Sequence, residues 1–100
     1  MAELVVYVKG PESRKTGGIL GIGGRDITIY STNPQLYLDN VENPARNFGL
    51  YEIEFDQIPS EEDLENRIRL HAQEILGTGV PLGMLIISVD KIDVKIEYDN

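Results

Sequence analysis

Cysteine and tryptophan are absent from this sequence, and histidine occurs once. Without cysteine there is no disulfide staple, no thiolate nucleophile and no Cys-ligated metal centre. The redox compartment is therefore not written in the chain. Long apolar runs are also missing: none approaches the ~20 residues that a membrane helix needs. The opening residues, MAELVVYVKG, have neither a basic start nor a long apolar core, so they do not read as a secretory signal. The expected location is the cytoplasm.

Positive charge is scarce. Nine Lys and Arg stand against seventeen Asp and Glu, a net charge of −8 at pH 7. Phosphate backbones are bound by clustered Lys and Arg, so direct nucleic-acid binding is not expected. Anionic membrane surfaces are disfavoured for the same reason. An acidic surface keeps a small domain soluble, and it also suits a basic partner or mimicry of nucleic acid.

What is present is enough for one core. Residues 1–100 make a single domain with no internal repeat, long enough to fold without disulfides or metal. The clearest element is Ser60–Leu76. Leu64, Ile68, Ala72, Ile75 and Leu76 recur at three- and four-residue spacing and so share one helix face. Ser60 fits the N-cap, Asp63 sits where a capping box has its acid, and Ile58 is placed to pack on Leu64. Glu61, Glu62 and Asp63 suit the positive end of the helix dipole. Gly77 fits the position after the last turn, and Pro81 bars continuation.

Around the helix the periodicity is that of strands. Leu4–Lys9 is apolar on both faces, as in a central strand covered on both sides. Asp26–Tyr30 is a second strand, Ser31–Pro34 a turn signal, and Gln35–Leu38 a returning hairpin partner. In Gly49–Ile58, Tyr51, Ile53 and Phe55 alternate with acids. Met84–Val89 reads as another buried strand. Ile92, Val94, Ile96 and Tyr98 alternate with charged residues, as on an exposed edge strand. These last two segments are either paired strands or one strand with a bend. The expected fold is α+β: a small mixed or antiparallel sheet of four to six strands, with one main helix on a face.

No catalytic motif emerges. Gly10 with Lys15-Thr16 approaches the phosphate loop G-x-x-x-x-G-K-[ST], but the second Gly is missing and the spacing is one residue short. Gly21-Ile22-Gly23 begins a dinucleotide loop, but the third Gly would fall at Asp26 and no helix follows. His71 flanks the apolar helix face and reads as a boundary residue with one nitrogen hydrogen-bonded. The acids Glu52, Glu54 and Asp56 line one strand face, and Asp90, Asp93, Glu97 and Asp99 crowd the C-terminus. Two such rows can meet in a cation site, although no EF-hand spacing is present. The five tyrosines fit half-buried sheet positions or interfaces.

Two stretches remain as candidate sites. Six glycines fall between residues 10 and 25, in a loop that also carries three bases. An anion nest there would use Arg14, Lys15, Thr16, Gly17, Gly18, Gly23, Gly24 and Arg25. The C-terminal strand is the second, with Ile92, Val94, Ile96 and Tyr98 as interface residues toward another subunit. The expected function is a non-enzymatic protein-interaction or assembly module, without cofactor, working with a protein partner or as a homo-oligomer. The alternatives are a regulatory domain binding a small anionic ligand at the Gly-rich loop, and an acidic inhibitor mimicking nucleic acid.

Overall fold

Alternation of apolar residues at period two builds most of the molecule, and one amphipathic helix closes it. The computed structural model describes residues 2–17, 24–39, 41–77, 80–82 and 84–99. In chain order the elements are β1 (Ala2–Thr16), β2 (Arg25–Leu38), β3 (Arg46–Asn47), β4 (Tyr51–Phe55), α1 (Glu61–Leu76), β5 (Val80–Leu82), β6 (Leu85–Ile87) and β7 (Lys91–Tyr98). The fold is α+β, with a mixed five-stranded sheet in the order β3-β2-β1-β7, β4 also pairing with β2. β1 runs antiparallel to β2 and parallel to β7. β5 and β6 form a separate two-stranded ladder.

The helix lies over one face. Leu64, Ile68 and Ala72 share a cluster with Leu4, Val6, Val8, Tyr30 and Ile53, and Ile92, Val94 and Ile96 pack against its margin. The Ser60 hydroxyl accepts from the Asp63 N–H at 3.1 Å, the expected cap. Gly77 has φ 55°, and its N–H donates to the Gln73 carbonyl at 3.0 Å. Ile58 stays exposed, so it makes no staple with Leu64.

Three expectations are corrected. First, Ser31–Pro34 is not a turn, and Gln35–Leu38 is not a returning strand. Both belong to β2, which runs unbroken from residue 25 to 38. Pro34 is tolerated because its backbone faces away from β1. Its carbonyl accepts from Phe48 N–H at 3.0 Å. The N–H that proline lacks would point the same way, so no bond to β1 is lost. Second, among the described residues an element covers β1 on the helix face alone, although the strand is central as expected and Val5 on the other face is also buried. Third, the apolar run at residues 84–89 is not a buried strand. Met84, Leu85 and Ile86 are exposed on the β5–β6 hairpin, and only Ile87 and Val89 reach back to the Ala2–Leu36 cluster. β6 and β7 lie in different sheets, so they are neither a pair nor one bent strand.

Residues 10–16 and Arg25, expected as part of a loop, continue the β1–β2 ladder, residues 12–16 pairing with 25–29 as an arm. The register shifts between Lys9 and Glu12, where the Gly10-Pro11 peptide is cis. Gly10 is needed there for space: a Cβ would sit 2.9 Å from Tyr30 Cδ1 and 3.0 Å from the Ile29 carbonyl oxygen. The arm stretches the molecule to 51 × 26 × 20 Å, with a radius of gyration of 16.0 Å. A compact domain of this length has about 13 Å.

Candidate functional site

Because α1 covers the side of β1 that carries Leu4, Val6 and Val8, alternation turns Glu3, Val5, Tyr7 and Lys9 to the other face. The register carries this face across the sheet in rows. Lys91, Glu3 and Tyr37 make one row, and Asp93, Val5, Gln35 and Asn47 the next. Lys95, Tyr7 and Asn33 follow, then Glu97, Lys9, Ser31 and Glu52. Among the described residues no helix or strand lies over this face.

A hydrogen-bonded chain orders the open face. The hydroxyls of Tyr7 and Tyr37 are 2.9 Å apart, and Tyr37 donates to Gln35 Oε1 at 3.3 Å. Gln35 Nε2 donates to Asn33 Oδ1. Asn33 Nδ2 in turn reaches Asn47 Oδ1 and the Gly49 carbonyl, both at 2.7 Å. The bond to Tyr7 and partial burial hold the Tyr37 phenol above its usual range, with Lys95 pulling the other way. Two hollows of about 490 and 460 Å³ open on this side, and Tyr7 and Lys95 line both. The turn composition of Ser31–Pro34 hides this network in the sequence. The polar residues Ser31, Asn33, Gln35 and Tyr37 recur at period two, and that signal marks one strand with a polar face.

Of the residues expected to bind an anion, the two arginines are engaged with acids. Arg14 donates to both Glu52 carboxylate oxygens, at 3.0 and 2.9 Å, and to Glu12 at 3.3 Å. This two-point bond holds the Glu52 carboxyl below its usual range. Arg25 pairs with Asp56 at 3.4 Å. Lys15, Gly17 and Gly24 are exposed, and Lys15 stands opposite Asp26 in register. Thr16 ends β1 opposite Arg25. Gly18 and Gly23 lie outside the described residues. Arg14 and Arg25 are therefore each already paired with carboxylates, while Lys15 is exposed. Acids stand on the helix, on β4 and on the open face, not on one side. Among the described residues, no three His, Asp or Glu side chains gather so as to hold a metal ion.

His71 is buried between the sheet and the helix. Its Nε2 lies 3.4 Å from Thr32 Oγ1, and its ring meets Tyr51 edge-on at 5.0 Å. Burial and the neighbouring Arg67 lower its pKa, while Glu74 opposes the shift. Among the described residues the buried Nη1 of Arg67 has no hydrogen-bond partner.

The C-terminal strand is at the sheet margin. Among the described residues no strand pairs with the outer edge of β7. Ile92, Val94 and Ile96 point to the helix side and are half-buried, while Tyr98 is exposed at the strand's end. The edge carries one guard: Arg69, held by Glu65 at 3.0 Å, donates to the Ile92 carbonyl at 2.9 Å. No helix among the described residues is long and apolar enough to cross a membrane. Comparisons with protein-family models, with curated proteins and with solved structures found no match.

Proposed function

We propose that this chain is a non-enzymatic interaction or assembly module that uses its sheet margin to bind another polypeptide. The observation that carries the reading is the outer edge of β7. It offers a row of backbone donors and acceptors above three half-buried aliphatic side chains. A free strand edge adds strands readily, main-chain bonds giving affinity and alternate side chains giving choice of partner. The polar open face beside it supports the same reading, because an ordered Tyr, Asn and Gln network is the adaptable kind of surface found at protein interfaces. Anion binding at the arm has less support, since Arg14 and Arg25 are already paired with acids.

Native mass spectrometry of the chain, purified gently from its own source, tests this. The expected result is a mass above that of the single 11.2 kDa chain, from a second protein chain of any kind. A bare monomer would overturn the reading. An added mass of a few hundred daltons would move the function to small-ligand binding.

A further inference from the structure

The polypeptide that best fits the β7 edge is β7 itself. We infer that two copies of the chain pair β7 to β7, antiparallel, about a two-fold axis that is perpendicular to the sheet and passes midway between the two facing Val94 residues. This rests on the interaction-module reading and gives it a partner.

The backbone phase comes first. The Asp99 N–H donates to the Gly10 carbonyl at 2.8 Å, with Gly10 opposite Tyr98 in register. In a parallel ladder this turns the odd-numbered residues of β7 toward β1 and the even-numbered ones outward. The Arg69 bond to the Ile92 carbonyl agrees, since that oxygen is then on the outer side. Ile92, Val94 and Ile96 thus present N–H and C=O to a partner. With the axis at Val94, Val94 meets Val94 of the second copy, and Ile92 meets Ile96, each as a hydrogen-bonded pair. Every outward group in this stretch finds its complement.

The charges select the same register. On the open face β7 carries Lys91, Asp93, Lys95 and Glu97. About Val94, Lys91 falls opposite Glu97 of the second copy and Asp93 opposite Lys95, and the symmetry repeats both. All four cross-strand pairs have opposite sign. They are also the non-hydrogen-bonded pairs, in which side chains stand closest. Moving the axis by one residue destroys this. Centred on Asp93, the strand sets Lys91 against Lys95 and Asp93 against itself. Centred on Lys95, it sets Asp93 against Glu97 and Lys95 against itself. Asp93, Lys95 and Glu97 make no ion pair among the described residues, whereas Lys91 is 3.4 Å from Glu3 and would share its charge. On the helix side Ile92, Val94 and Ile96 meet their counterparts beside Arg69, and the contact covers these side chains, left half-buried in one copy. Arg69 is no obstacle in principle, because the Ile92 carbonyl has a second lone pair. An isologous contact of this kind closes at two copies, as most homo-oligomers do.

The test is sedimentation equilibrium on the full chain with three variants: K95E, D93K and the double exchange D93K/K95E. All three leave the β1–β7 hydrogen bonds in place, and far-UV circular dichroism checks the fold. The wild type should be a dimer. Either single reversal faces like charges at two symmetry-related points and should raise the dissociation constant roughly tenfold or more. The double exchange restores opposite signs and should return it to within a few-fold of wild type. A wild type that stays monomeric at millimolar concentration would overturn the proposal. So would single variants that dimerise as well as wild type, or a double variant that fails to recover. If the wild type is monomeric here but native mass spectrometry finds a second, different protein, the self-pairing falls and the interaction-module reading stands.

Discussion

Residues 4–8 and residues 84–87 are alike in sequence, LVVYV and MLII, and opposite in fate. Leu4 and Val6 are 0% exposed, whereas Met84, Leu85 and Ile86 are 102%, 68% and 73% exposed. Apolarity is the same in both. The difference is in partners: β1 is paired along both edges and covered by α1, while β6 has only the three residues of β5 beside it. A run of apolar residues states that a segment can be buried. The number of neighbouring strands decides whether it is, and a two-stranded ladder cannot supply a second layer by itself.

The contrast can be broken or sharpened by substitution. The largest effect is expected at Leu4. Leu4→Ala leaves a cavity under the helix and should cost about 2–5 kcal/mol in denaturant unfolding. A cost below about 1 kcal/mol would mean that β1 is less enclosed than its burial implies. A smaller effect is expected from His71, which is buried on the covered face near Thr32. Its folded pKa lies below the unfolded value of about 6.5, so the unfolded chain takes up the proton first as pH falls. The stability that neutral His71 carries is complete above about pH 6.5 and is lost as pH drops through the lowered folded value. Melting curves of the wild type should show this loss as the pH falls below the unfolded value of about 6.5, and those of His71→Gln should not. Parallel curves for the two would exclude His71 as the source. The smallest effect is expected on the hairpin. Ile86→Ser should change unfolding stability by no more than about 0.5 kcal/mol, since the side chain is already in water. A large loss there would show that a second surface covers the hairpin.

Much of the fold was legible from residue spacing. The Ser60 cap, the Leu64–Ile68–Ala72 stripe and the alternation of residues 51–55 and 91–98 each express one local period, and each appears as expected. What was not legible depends on partners distant in the chain. Ser31-Thr-Asn-Pro has turn composition, yet the strand runs through it because the backbone of Pro34 faces away from β1. The glycine-bearing segment after Lys9 reads as loop, yet its first half pairs with residues 25–29. Ile92, Val94 and Ile96, the residues of the proposed interface, stand out in the sequence by their apolar side. The charged side, residues 91, 93, 95 and 97, bears on the proposed register only once β7 is seen at the margin and its backbone phase is known.

The arm described above has a hydrodynamic consequence. A body 51 Å long and 20 Å thick drags more solvent than a sphere of the same mass. It will emerge early from a sizing column and tumble anisotropically, so that amides along the arm and amides across it relax at different rates. A single copy can then be mistaken for two by retention volume. Only a method that weighs the particle, and does not measure how it moves, will count the subunits correctly.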